Sequence, residues 1–462
     1  MSDESPIEVT RELLERYDRP GPRYTSYPTA PEWNDEFGPE EYLAALDAAD
    51  AQHDDPLSIY VHIPFCHERC LFCGCNVVIS KRQEISDAYL DYLSLEFDRV
   101  AERLPRRRKV AQLHWGGGTP TYLRVDQIER LHGKIASLFQ FTPDAEIALE
   151  VDPRVTTHEQ LKVLRQLGFN RISMGVQDLD PDVQQAIGRN QTEEQTRTLF
   201  DRCRELGFEG INIDLIYGLP QQTADAWRKT VETVIGIRPD RLAVYSYAHL
   251  PQMIKHQQKL EAFPRPSGAE KWELFADARR LFTAGGYDAI GMDHFALPED
   301  ELSIALRERR LHRNFMGYSV VPAADMLGFG TSAIGEVGGC YAQNEKRPVK
   351  YNQALDAGTL PTMTGIRLTL DDIIRRWTIR QLMCNFHLDF AELRQRYGVD
   401  YHEYFAAEAE TLREYHEEGF TAEENGALRV LPLGQIFVRN VCMVFDAYLK
   451  NPASFKAFSR TV

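Results

Sequence analysis

Four of the chain's eight cysteines fall within one decapeptide, CHERCLFCGC, where Cys66, Cys70, Cys73 and Cys75 follow the pattern CxxxCxxCxC. Thiolates at that spacing can turn inward from a single loop onto one soft metal centre. Structural zinc sites draw their ligands from two separated pairs, so one loop carrying all four is a poor zinc site. Pro64 before the cluster and Gly74 within it mark an irregular exposed turn rather than a set of packed thiols. A disulfide framework belongs to small secreted domains, not to a chain of 462 residues. The chemistry to expect is that of a soft metal held by thiolates.

Other residues able to do chemistry recur at the ends of short apolar segments. Gly116, Gly117, Gly118 and Thr119 follow VAQLHW, Glu150 closes AEIALE, Gln177 closes RISMGVQ, Asp214 lies in INIDLIY, and Ala248 follows RLAVYSY. The first segment, LSIYVHIP, alternates Leu57, Ile59, Val61 and Ile63 with Ser58, Tyr60 and His62, the period of a strand. Amphipathic helical stretches lie between the segments, and Gly168 and Gly207 close two of them. Strict alternation of strand and helix implies parallel pairing with right-handed crossovers. Unusual residues gathered at C-terminal strand ends favour a barrel, where that face builds active sites. Six such ends predict a partial (β/α)6 TIM-like barrel with an N-terminal arm and a mostly helical C-terminal domain.

The expected division is an arm over 1–40, a catalytic partial barrel over 41–335 and a C-terminal domain over 336–462. Beyond about Gly365 the chain reads as helices, a short hairpin and a further helix, resembling a winged-helix unit and suited to a lid or substrate wall. Its mixed to acidic surface argues against DNA, as does the net charge of −16. The one short basic run, Arg106 to Lys109, reads as a helix C-terminal cap. With 43% hydrophobic and 26% charged residues the composition is that of a globular protein. No run of about 18 apolar residues and no apolar leader are found, so neither a membrane span nor a signal peptide is expected, and the predicted location is cytoplasmic.

The opening CxxxCxxC on a strand end resembles the signature of the radical S-adenosylmethionine superfamily, and WGGGTP at residues 115–120 resembles its glycine-rich turn. The resemblance implies a [4Fe-4S] cluster on Cys66, Cys70 and Cys73, with one iron left for the amino and carboxylate groups of S-adenosylmethionine. It also implies a 5′-deoxyadenosyl radical as the reactive species. GPRYTSYPTA (21–30), YVHIPFCHERCLFCGCN (60–76), HWGGGTPTYL (114–123), EVDPR (150–154), IGRNQT, DLIYGLP, YAHLP, GMDHFA, RNFMGYS and GFGTSAIG resemble segments of the oxygen-independent coproporphyrinogen III oxidase family.

That resemblance implies two molecules of S-adenosylmethionine side by side. Tyr60, Gly117, Glu150, Ala248 and Ile334 match contacts to the first, and Phe72, Gly118, Thr119, Gln177, Arg189 and Asp214 match contacts to the second. Cys75 is implied as catalytic without being a cluster ligand. The implied substrate is coproporphyrinogen III, with two propionates becoming vinyl groups, an external electron donor and acceptor, and a monomeric enzyme. Arg23, Arg154 and Arg313 are candidate partners for the propionates, since guanidinium binds carboxylate in a bidentate fork. His294 and His312 read as structural. The arm could be a flap over substrate or a tail packed for stability. A heme chaperone of the same superfamily, and a related tetrapyrrole methyltransferase or ring-opening enzyme, remain as alternatives. Cys75 and the arm motif speak against the chaperone.

Overall fold

The computed structural model describes residues 9–321, 325–450 and 458–461. All six predicted strands form: β1 Leu57–Ile63, β2 Lys109–Gly117, β3 Gln140–Val151, β4 Arg171–Gln177, β5 Gly210–Tyr217 and β6 Arg241–Ser246. Each pairs in parallel with the next. The crossover helices are α1 Ile85–Arg103, α2 Val125–Leu138, α3 His158–Gln166, α4 Glu193–Glu205 and α5 Ala224–Ile237, with α6 Gly268–Ala284 after β6. Thr157 and Thr192 cap α3 and α4, and Gln160 and Gln195 return the bond, closing capping boxes that the sequence carries in plain view.

The sheet is larger than six strands. Four more strands, β7 Asp288–Gly291, β8 His294–Ala296, β9 Asp325–Phe329 and β10 Ile334–Val337, join with β11 Cys340–Asn344 and β12 Thr362–Arg367 to give the order β12-β11-β10-β9-β1-β2-β3-β4-β5-β6-β8-β7. Strand β9 pairs in parallel with β1 and is a seventh parallel strand; the outer strands are antiparallel. The two ends of this order do not pair, which leaves the barrel open. The boundary expected at 335/336 falls inside β10, and the sheet carries the chain on to Arg367. The short polar and glycine-rich strands after Phe329 gain their stability from pairing, so their periodicity alone does not announce them.

Inside β1 the alternation sorts by face. Leu57, Ile59, Val61 and Ile63 are fully buried in the core shared with the helices, whereas Tyr60 and His62 face the barrel's interior cavity. A second core joins the C-terminal helices to the arm, since Tyr17, Tyr24 and Tyr27 are packed there with residues such as Leu382 and Phe437. The arm is therefore a packed tail. Arg439, nine-tenths buried and more, donates to the carbonyls of Gly21 and Pro22, and Tyr24 donates to Asp446 at 3.0 Å. The C-terminal unit contains α7 Leu370–Asn385 and a three-stranded sheet, His387–Asp389, Ala427–Val430 and Thr421–Glu424 in that order. This is the expected helix-and-hairpin arrangement with one added strand.

The basic run divides its tasks. Arg108 donates to the last carbonyls of α1 and α2, Ala101 and Leu138, as a helix cap should. Arg107, fully buried, pairs with Asp325 of β9, and Arg106 pairs with Asp50, contacts that a capping role does not foresee. Among the described residues no helix is long and apolar enough to cross a membrane.

Candidate active site

The cysteine loop leaves β1 at Pro64 and is tied down on every side. Phe65–Cys66 pairs with Val78–Ile79, Leu71 N donates to Ile187 O at 2.9 Å, Gln257 Nε2 donates to Phe72 O at 2.9 Å, and His256 Nε2 bonds Cys73 O at 2.7 Å. Cys66, Cys70, Cys73 and Cys75 line one cavity of about 630 Å³. Cys70 is buried, Cys66 and Cys73 are half-buried, and Cys75 is exposed. Arg189 Nη1 and Arg154 Nη2 lie 3.5 and 3.7 Å from Cys70 Sγ. The Cys75 thiol and amide both hydrogen-bond Cys73 Sγ and pull the Cys73 thiol below its ordinary value, while the same contact pushes Cys75 up. Among the described residues no three His, Cys, Asp or Glu groups are gathered tightly enough for a single ion. Cys66, Cys70 and Cys73 on the wall of one cavity are the soft thiol donors that an iron–sulfur cluster takes.

The same cavity is lined by Phe72, Gly117, Gly118, Thr119, Glu150, Gln177, Arg189 and Asp214. The glycine turn fits closely against the loop: Gly118 N donates to Ile63 O at 2.8 Å and Thr119 N to Phe65 O at 2.8 Å. A Cβ on Gly118 would stand 2.7 Å from Phe65 O, and one on Gly117, where φ is +109°, 2.4 Å from the His62 ring. A side chain at Gly118 would displace the loop backbone, one at Gly117 the His62 ring, and one at Gly116 the Glu150 carboxylate, 2.7 Å from the Cβ position. Gln177 ends β4 with φ of 71°, a strained conformation at a functional strand end.

Charge is graded across the cavity. Burial opposes ionisation of Glu150, yet His114 and the Gly117 amide, which donates at 3.1 Å, hold it below the usual carboxylate range. Burial and then the Glu150 charge push Asp214 up to about 7, against hydrogen bonds from Asn212 and Ser173. Asp152 stays low despite burial because Arg189 and Arg154 face it.

A second cavity of about 410 Å³ fills the barrel interior and shares Glu150, Ser173, Asp214 and Tyr245 with the first. Tyr60, His62, His114, Ile334 and the hairpin residues Phe315 to Ser319 line it. The tyrosine and histidine of β1 and β2 stack, with Tyr60 and His114 ring centroids 6.0 Å apart.

Most of the expected site residues are thus brought together, with three adjustments. Ala248 lines neither cavity. The chain leaves the sheet at Ser246, and Ala248 is exposed with its carbonyl accepting from Gln257 Nε2 at 3.2 Å, so Tyr245 is the residue that β6 offers to both cavities. Gly117 lies with Gly118 and Thr119 in the cysteine cavity, while Tyr60 and Ile334 lie in the inner one. Arg154 is bound to Asp152 beside Cys70, away from the inner cavity. Sequence reasoning passes over His62, His114, Ser173 and Tyr245. The available signal is that each is the polar or aromatic member of a strand alternation whose apolar members face the helices.

An open parallel barrel with a three-thiol loop at the end of its first strand and a glycine turn at the end of its second defines a radical S-adenosylmethionine protein. The Radical SAM superfamily model matches residues 60–234, and a model of the HemN C-terminal domain matches residues 368–437. A [4Fe-4S] cluster and S-adenosylmethionine follow from that membership, and the thiols and cavity fit them.

At full length the chain is 45% identical over 453 residues to the oxygen-independent coproporphyrinogen III oxidase of Escherichia coli, covering 97% of this chain and 98% of that one. It is 41% identical to the Synechocystis protein of the same name, covering 99% and 98%. The solved structure of coproporphyrinogen III oxidase (HemN) from Escherichia coli, a radical SAM enzyme, superposes with a TM-score of 0.91 at 44% identity, covering 96% of this chain and all of that one. The chain belongs to the oxygen-independent coproporphyrinogen III oxidase family.

Proposed function

We propose that this protein oxidatively decarboxylates two propionates of coproporphyrinogen III to vinyl groups, giving protoporphyrinogen IX without molecular oxygen. Two molecules of S-adenosylmethionine would bind side by side. The observation that carries this reading is the pair of cavities with a common wall, one edged by thiols and the other lined by Tyr60, Tyr245, Phe315 and Tyr318 among polar groups, in a chain that matches an enzyme of that name over 97% of its residues.

Cys66, Cys70 and Cys73 would hold the cluster. Cluster and S-adenosylmethionine together supply a 5′-deoxyadenosyl radical, able to take a hydrogen atom from an unactivated β-carbon where no side-chain base could take a proton. Glu150, kept ionised by His114 and Gly117, suits a cationic group, and Asp214, hydrogen-bonded by Ser173 and Asn212, suits hydroxyls. Phe72 offers an aromatic face and the 117–119 turn offers bare backbone. Arg189 and Arg154 offset the charge of Cys70 and Asp152. Tyr245, Glu150, Asp214 and Ser173 border both cavities and would position a cofactor in one directly against a substrate in the other. For each propionate, one hydrogen atom, carbon dioxide and one electron leave, and the electron passes to an external acceptor.

The test is anaerobic incubation of reconstituted protein with S-adenosylmethionine, reductant, coproporphyrinogen III and an electron acceptor. Stepwise loss of two carboxyl groups is expected by mass spectrometry. Stable one-to-one heme binding without that product would replace this reading with a heme chaperone.

A further inference from the structure

Arg313 sits in a hairpin whose strands, His312–Asn314 and Gly317–Ser319, place it directly opposite Tyr318. It is 5% exposed, and its Nε and Nη1 meet no acceptor. No hydrogen bond or ion pair joins it to any described residue; its contact is the Tyr318 ring, whose centroid is 4.7 Å from the guanidinium carbon. A buried guanidinium without an anion is costly, so proteins pair such groups or reserve them for a ligand.

The surroundings make the second case. Residues 315–319 of the same hairpin line the inner cavity, as do His294 and Tyr245, and Arg313 stands behind this lining against the Tyr318 ring, so that a ligand group reaches it past Tyr318. The Tyr318 and His294 rings meet edge to face at 5.1 Å, and His294 meets Tyr245 in the same way at 5.8 Å. Asp293 is the carboxylate of this cluster, and it is engaged: one oxygen accepts from Arg23, the other contacts His294 Nδ1 at 2.9 Å. Asp293 is thus taken up by Arg23, and Arg313 is left with no ion-pair partner among the described residues, the other nearby carboxylates, Glu150 and Asp214, standing on the wall shared with the cysteine cavity.

We propose that Arg313 is the socket for a carboxylate of the bound substrate, a propionate that anchors the tetrapyrrole in the inner cavity while another reaches the wall that the two cavities share. This rests on the functional reading above. A carboxylate could also come from the aminoacyl end of S-adenosylmethionine, so the test separates the two.

The experiment measures binding of coproporphyrin III, the stable fluorescent four-carboxylate ring, and of S-adenosylmethionine to the anaerobically reconstituted protein, together with its thermal midpoint. Arg313→Gln should bind coproporphyrin III roughly tenfold to a hundredfold more weakly. It should keep its S-adenosylmethionine affinity and unfold no earlier than the wild type, because a buried unpaired charge has been removed. Arg313→Lys should recover part of the affinity, and Arg310→Gln, on the exposed flank, should change nothing. Unchanged porphyrin binding by Arg313→Gln overturns the assignment. So does a loss confined to S-adenosylmethionine, or a failure of both Arg313 variants to fold, which would mark a structural residue. If the wild type itself binds no coproporphyrin III, the functional reading fails and this one with it; if it binds and only the variant result disagrees, the functional reading stands.

Discussion

Within the cysteine loop, four sulfurs are set apart by surroundings more than by spacing. Cys70 lies against two guanidiniums, while Cys75 is exposed and bonded to Cys73. Cys70→Ser should therefore abolish the cluster, and Cys75→Ser should keep full iron and sulfide while product formation falls by about 10–100-fold or more. Iron and sulfide analysis beside turnover reads both, and loss of iron in Cys75→Ser would show the division of ligands to be wrong. Gln177 carries a different signature. Its φ of 71° is paid for elsewhere in the fold, and its amide makes no hydrogen bond to a described residue. Gln177→Gly should raise stability by about 1 kcal/mol in denaturant titration while weakening S-adenosylmethionine binding.

Between elements, the decisive contacts are polar ones buried among apolar neighbours. Glu96 of α1 accepts from Gly330 N at 2.8 Å, Asn344 Nδ2 at 2.6 Å and Tyr351 OH at 2.5 Å, tying α1 to the turn after β9 and to β11. Burial raises its carboxyl from 4.5 to about 7 against those bonds. A carboxyl raised in the folded state binds its proton more tightly there than when unfolded. Its contribution is thus complete below about 4.5 and is lost as pH rises through about 7. Subtracting the pH profile of Glu96→Gln from that of the wild type should reveal a decline across this window; a flat difference would show that Glu96 does not titrate there. The helices themselves were legible because the capping boxes and the helical period are local, while strands β9 to β12, short and irregular, depend on partners distant in sequence.

For the molecule as a whole, the arm and the C-terminal unit form one core, with Tyr24 at 4% and Tyr27 at 1% exposure. Deleting residues 1–28 removes three buried tyrosines, each worth about 1.5–3 kcal/mol. A separate, earlier calorimetric transition for the C-terminal unit is expected, with the cluster retained; an unchanged single transition would refute the shared core. The arm motif could be seen in the sequence, but its choice between flap and packed tail could not, because that depends on carbonyls meeting Arg439 more than 400 positions away. By itself the sequence determined the cysteine loop and six of the parallel strands, since spacing and alternation are properties of neighbouring residues, and the family, through motifs that are each local. Only the tertiary structure decided which strand residues face the cavity, that Ala248 does not while Tyr245 does, that Arg154 is spent on Asp152 and that Arg313 is left unpaired. Whether a charge has a partner is settled by what folding brings beside it, and the linear order of residues carries no record of that.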